Sequence, residues 1–243
     1  MQEKKQTDLK TYDGPDQVIS GAEMLLRIRA QAKPAFVVMS KIPGLDRATG
    51  GFHGGELVTI SGPTKGGKTL LAQSLTHSFD KQQQPAVWFT YEVPAGQFLG
   101  QLGDDPPLVY MPAQLKAHAM PWVEDRILES LQKYHTRIVF IDHLHFLFDM
   151  GRSRNPSLEI GQVIRHLKGL AVREGLVVFL LSHTKMAKID GGLSFESIRD
   201  SSFVSQESDS VIMIKRVPAE GPTAARARVE FHRRTGALEQ VIK

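Results

Sequence analysis

The sequence contains no cysteine, which excludes disulfides and thiolate metal sites. No apolar stretch approaches the roughly 18–20 residues that a membrane-spanning helix needs. The first residues, MQEKKQTDLK, are charged and lead into no apolar signal region, so a cytoplasmic protein is the expectation. There is no internal repeat, and no linker strong enough to split the chain. What is present is ordinary for a soluble globular protein: 243 residues, 41% hydrophobic and 23% charged. That length suits one large α/β domain or two small ones. The net charge is +4. The whole excess lies in residues 211–243, where Lys215, Arg216, Arg226, Arg228, Arg233, Arg234 and Lys243 outnumber Glu220, Glu230 and Glu239. Such a segment suits a nucleic acid, a nucleotide, a neighbouring subunit, or simply a solvated edge hairpin.

The pattern along the chain alternates strands with helices. Residues 1–15 are polar. Residues 16–33 read as a helix, with Ser20 and Glu23 at capping-box spacing and Ile19, Ala22, Leu25, Leu26 and Ala30 as a stripe that Pro34 ends. FVVMS (36–40) reads as a short strand and 43–56 as turn-rich. LVTIS (57–61), AVWFT (86–90), LVYMP (108–112), RIVFID (137–142), LVVFLLS (176–182), VIMIKR (211–216) and ARVEFHR (227–233) read as strands, the last two as a pair. Helices are expected at 69–79, 93–102, 121–134 and 157–175. Apolar strands between helices imply a mostly parallel, twisted sheet with helices on both faces.

Between the strand 57–61 and the helix 69–79 stands Gly62-Pro63-Thr64-Lys65-Gly66-Gly67-Lys68-Thr69, followed by Leu70. This fits G-x-x-x-x-G-K-[ST] in the strand–loop–helix context that the motif requires. Glycine lets the backbone curl so that its N–H groups face phosphate oxygens, and the helix N-terminus adds positive potential. In this reading Lys68 reaches the β- and γ-phosphates and Thr69 ligates Mg²⁺. Hydrolysis further needs a metal-positioning carboxylate and a group that activates water. Asp142, ending RIVFID, is placed for the first and Glu92, two residues past AVWFT, for the second, because ligands gather at the carboxyl ends of parallel strands. His143 and His145 raise the alternative of a metal pair.

Several segments resemble DnaB-type replicative helicases, the hexameric ring helicases with a RecA-like P-loop NTPase core. They are IPGLDRATGGFHGGELVTISG, FTYEVPAGQFLGQL, IDHLHFL, GQVIRHLKGLAVREGLVVFLLSHTK and FESIRDSSFVSQESDSVIMIKR, in order and at fitting spacings from about residue 40 to 240. The resemblance implies a division into an N-terminal arm or linker helix (1–35) and a RecA-like ATPase domain (36–243). It implies Glu92 as catalytic base and His183 as the γ-phosphate sensor. It implies Arg216 packing on adenine, and Arg233 as an arginine finger lent to the next subunit, with Arg234 its rival. The family often has lysine where this chain has Phe231, and glutamine where it has His145. Relatives also carry a primase or helical-collar domain that this sequence lacks, so a minimal helicase, a truncation and a repurposed ATPase are all open.

For DNA, the resemblance points to channel-facing loops at 149–157 and 184–203, with Arg152, Arg154, Lys185 and Lys188 as phosphate contacts; ordinary solvated loops are the alternative. The expectation is an ATP- and Mg²⁺-dependent translocase on single-stranded DNA. It works as a ring, hexameric by resemblance, alongside other replication proteins. A RecA-, RadA- or KaiC-like ATPase without unwinding, and a nucleotide-binding ring with weak hydrolysis, are the alternatives.

Overall fold

The structure, a computed structural model, describes residues 12–31, 36–147, 156–183, 204, 206–221 and 224–242. Two compact units are distinguished, Met1–Ala35 and Phe36–Lys243. In the first, α1 (Gly21–Gln31) begins where Ser20 Oγ accepts the Glu23 N–H at 3.1 Å, half of the capping box, and Glu23 pairs with Arg27 one turn on. Among the described residues no helix is long and apolar enough to cross a membrane.

The second unit is built on β3 (Leu57–Gly62), β4 (Ala86–Thr90), β5 (Val109–Tyr110), β6 (Ile138–Asp142), β7 (Val177–His183), β8 (Ser210–Arg216), β9 (Ala225–His232) and β10 (Ala237–Ile242). They form one sheet in the order β10-β9-β8-β3-β7-β6-β4-β5. Strands β3 to β8 are parallel, while β9 and β10 close one edge as antiparallel strands. Helices α3 (Lys68–Asp80), α4 (Ala95–Gly100), α5 (Met120–Tyr134) and α6 (Pro156–Glu174) cover it.

Alternation along the strands fills two cores. Val87, Phe89, Val139 and Ile141 join Val123 and Ile127 of α5 and Ile164 and Leu167 of α6. Ala86, Trp88, Ile138 and Phe140 join Leu75 and Phe79 of α3 and Phe98 of α4. That double burial is why these runs are continuously apolar rather than half polar. In the second core Phe140 stacks between Trp88 (ring centroids 4.5 Å apart) and Phe179 (4.6 Å).

Two expectations are corrected. Residues 43–56 are not merely turns. They hold α2 (Pro43–Thr49) and β2 (Phe52–His53), the latter pairing antiparallel with β1 (Val37–Val38). Pro43 starts α2, burial of Leu45, Ala48 and Thr49 holds it, and Gly50 ends it at φ 67°, a left-handed conformation natural to glycine. β10 was not anticipated either. Its sequence, ALEQVI, is largely exposed and polar, so it carries little of the apolar signature of a strand.

Candidate functional site

The phosphate-loop sequence joins β3 to α3 in the middle of the sheet. At Gly62 a Cβ would sit 2.1 Å from the Ile214 carbonyl oxygen of β8, so no larger residue fits where the loop leaves its strand. Residues Thr64, Lys65, Gly66, Gly67, Lys68, Thr69 and Leu70 line a cavity of about 550 Å³, together with Glu92 and Arg216. Gly62 and Pro63 face inward instead: their carbonyls accept hydrogen bonds from Lys68 Nζ at 3.1 and 3.0 Å. The same ammonium lies 3.1 Å from His183 Nδ1. Burial lowers the Lys68 pKa, while Glu92 and Asp142 oppose that change.

Sheet order brings the other groups in. β6 neighbours both β7 and β4, so the ends of these strands place Asp142, His183 and the residues after Thr90 side by side. The amides of Tyr91 and Glu92 donate to the Asp142 carbonyl at 2.7 and 3.1 Å, which fixes the turn that carries Glu92. Asp142 is 1% exposed, and its Oδ2 accepts the Thr69 hydroxyl at 2.8 Å. Burial pushes its carboxyl up to about 6; the Thr69 hydrogen bond works the other way, and Glu92 adds to the rise. Its other oxygen, Oδ1, is buried without a hydrogen-bond partner. A hydroxyl and a costly buried carboxylate with one unmatched oxygen suit a hard divalent cation, so Thr69 and Asp142 fit Mg²⁺.

Glu92 Oε2 lies 3.4 Å from His143 Nδ1 and 3.7 Å from His183 Nε2. Burial, reinforced by the neighbouring His183, lowers His143 to about 4 even though Glu92 pulls the other way, so its ring is neutral at pH 7. His143 meets the His145 ring edge-on, centroids 5.3 Å apart, but the group of three potential ligands that the fold assembles is His143 with Glu92 and His183. Sequence inspection missed that trio because it depends on which strands are neighbours.

Arg233 and Arg234 part company. Arg234 Nε donates to Glu56 Oε1 at 2.9 Å, and its Nη2 donates to the Thr49 and Gly51 carbonyls at 2.6 and 2.9 Å. It bolts the β9–β10 turn to the end of α2, helped by Thr235 Oγ1 on the Ala48 carbonyl at 2.8 Å. Burial disfavours the Glu56 charge, but His232, the His53 amide and Arg234 outweigh it and hold that carboxyl below its ordinary pKa. Arg233 is exposed, and its side chain meets only the Gln206 carbonyl among the contacts described. Its strand neighbour His232 pairs with Ser210, the start of β8, whereas Arg216 at the far end of β8 lines the cavity. The seven residues of β8 thus separate Arg233 from its own phosphate loop by roughly 20 Å. Phe231 is partly buried against the first core. Arg152, Arg154, Lys185 and Lys188 lie outside the described residues.

No protein-family model and no curated protein matches the sequence. Solved structures do. A DnaB-like replicative helicase, studied for its interactions with primase, superposes with a TM-score of 0.73 at 16% identity; the match covers 89% of this chain and 63% of that one. A separately solved ATPase domain superposes with a TM-score of 0.69 at 17% identity, covering 87% of this chain and 89% of that domain. The chain therefore spans under two thirds of the first protein and nearly all of the second. At these identities the likeness is one of architecture: the chain shares their RecA-like α/β fold.

Proposed function

We propose that the protein is an ATPase motor of the DnaB type, a ring that moves along single-stranded DNA in the cytoplasm. The observation that carries the reading is that Lys68, Thr69 and Glu92 line one cavity at the carboxyl ends of parallel strands, with Asp142 buried directly behind Thr69 and hydrogen-bonded to it. In this reading the amides of residues 64–69 and the helix α3 terminus receive the β- and γ-phosphates. Lys68 leaves the Gly62 and Pro63 carbonyls for the phosphates. Thr69 and Asp142 would hold Mg²⁺, which would supply positive charge to the phosphate oxygens. Glu92 orients the attacking water and accepts its proton, and His183 senses the terminal phosphate.

Arg233 completes the site of the neighbouring subunit, since roughly 20 Å separates it from its own loop. A head-to-tail contact of this kind closes into a ring, hexameric by resemblance. Leu25 and Leu26 on α1 are exposed, and this arm (1–35) is proposed as the segment that docks on the next subunit. Arg216 is proposed to pack on the base. Arg152, Arg154, Lys185 and Lys188 are proposed to follow the DNA phosphates, and primase-like replication proteins are the proposed partners. One observation favours weaker hydrolysis: Phe231 packs in the core where the family often supplies a lysine. An ATPase assay with and without single-stranded DNA decides between these readings. DNA-stimulated turnover lost in Glu92→Gln supports the motor. DNA-independent or undetectable turnover supports a nucleotide-binding ring. Strand displacement on a 5′-tailed fork separates a helicase from a recombinase-like ATPase.

A further inference from the structure

We propose that Glu92, His143 and His183 form a binding site for a late first-row divalent cation, Zn²⁺ above all, separate from the Mg²⁺ site at Thr69 and Asp142. Occupancy withdraws the Glu92 carboxylate from water activation. The three side chains come from the ends of β4, β6 and β7, and among the described residues they are the one group whose ligand atoms all lie within 4.8 Å of one another.

The donor set is chemically selective. Two imidazoles and one carboxylate suit Zn²⁺, Cu²⁺ or Ni²⁺, whereas Mg²⁺ prefers oxygen alone. Bonds of about 2.0–2.1 Å in a tetrahedron place ligand atoms about 3.4 Å apart. Glu92 Oε2 already stands 3.4 Å from His143 Nδ1 and 3.7 Å from His183 Nε2. Small rotations close the set, and water reaches it from the cavity that Glu92 lines. A second observation points the same way. His143 Nδ1 is buried, makes no hydrogen bond and faces the carboxylate oxygen, an arrangement that an intervening cation relieves.

One group opposes the cation. Lys68 Nζ sits 3.1 Å from His183 Nδ1. With that contact the His183 proton belongs on Nε2, the atom that must bind the metal. Ligation moves the proton to Nδ1, facing an ammonium that can only donate. Metal binding and the Lys68–His183 contact are therefore mutually exclusive. Removing the lysine tightens the site, although it destroys the phosphate loop.

The test uses the full chain, stripped with chelator and free of nucleotide, titrated with Co²⁺ as a spectroscopic probe and then with Zn²⁺ as competitor. The expected result is one Co²⁺ per chain with the visible absorption of a nitrogen-ligated, low-symmetry site, displaced by Zn²⁺. Glu92→Gln, His143→Gln and His183→Gln each weaken binding at least 10- to 100-fold, the range lost when even an outer-shell partner is removed. His145→Gln leaves it unchanged, and Lys68→Ala tightens it. Binding that survives His143→Gln, or that Lys68→Ala weakens, overturns the assignment, and so does the absence of Co²⁺ binding by the wild type. A second arm rests on the ATPase reading: micromolar Zn²⁺ inhibits hydrolysis in millimolar Mg²⁺. Co²⁺ binding without any ATPase activity would sink that reading and leave the metal site standing.

Discussion

Adjacent arginines at the β9–β10 turn should fail in opposite ways. Replacing Arg234 by alanine removes the hydrogen bonds to Glu56, Thr49 and Gly51 and leaves the Glu56 carboxylate, 6% exposed, without its cation. Breaking a buried pair costs about 3–5 kcal/mol. The Arg234 side chain is 38% exposed, so water screens part of that interaction, and roughly 2–3 kcal/mol is the expected loss. For a domain of this size that lowers Tm by roughly 5–10 °C. Arg233→Ala forfeits one exposed contact and should change stability by less than about 0.5 kcal/mol. If Arg233 is the proposed arginine finger, its cost falls on turnover instead, by about 10³–10⁵-fold. Thermal melts and steady-state ATP hydrolysis on both variants, each folded and at concentrations that favour assembly, decide the matter. A destabilised Arg233→Ala with intact turnover, beside a stable but inactive Arg234→Ala, would reverse the two roles and refute the register of the hairpin.

Three further outcomes are expected. In chelator and without nucleotide, Asp142 and His143 push the pH dependence of stability in opposite directions. The Asp142 carboxyl keeps its proton in the fold up to about pH 6 against an ordinary 3.8, so its contribution is lost as pH rises through 6. His143 stays neutral down to about 4 against 6.5, so its contribution is lost as pH falls toward 4. Each displacement is worth roughly 3 kcal/mol. Asp142→Asn should therefore become more stable from pH 4 to 6.5 and His143→Gln less stable, by urea denaturation at each pH; slopes of the same sign would contradict this. Phe140→Ala, which empties the stack between Trp88 and Phe179, should cost about 3–5 kcal/mol in the same assay. Neutralising Arg152, Arg154, Lys185 or Lys188 should reduce the salt slope of single-stranded DNA binding by roughly 0.7 each, read by fluorescence anisotropy from low to moderate salt.

Legibility in the sequence followed locality. The strands β3, β4, β6 and β7 announce themselves because burial on both faces demands unbroken apolar runs, and the phosphate loop because its residues are contiguous. Glu92 and Asp142 follow directly, as residues at strand ends. What escaped depended on distant partners. α2 starts with Pro-Gly and runs for seven residues, so its helical identity rests on packing of Leu45 and Ala48 rather than on pattern. β10 is recognisable only through its ladder with β9. The proximity of Glu92, His143 and His183 requires the order β7-β6-β4, which no single segment encodes. Arg233 and Arg234 are equivalent as letters; Glu56 and the Thr49 and Gly51 carbonyls, far away in sequence, separate them.

Subunit mixing tests the shared active site most directly. In the proposed ring, Glu92→Gln lacks the residue that acts on its own nucleotide, and Arg233→Ala lacks the one that acts on its neighbour's. Mixed in equal amounts under assembling conditions, random rings place an intact pair at about a quarter of the head-to-tail interfaces. ATP hydrolysis should rise to roughly a quarter of the wild-type rate, far above the sum of the two variants measured apart. A mixture no more active than that sum would contradict a site built between subunits.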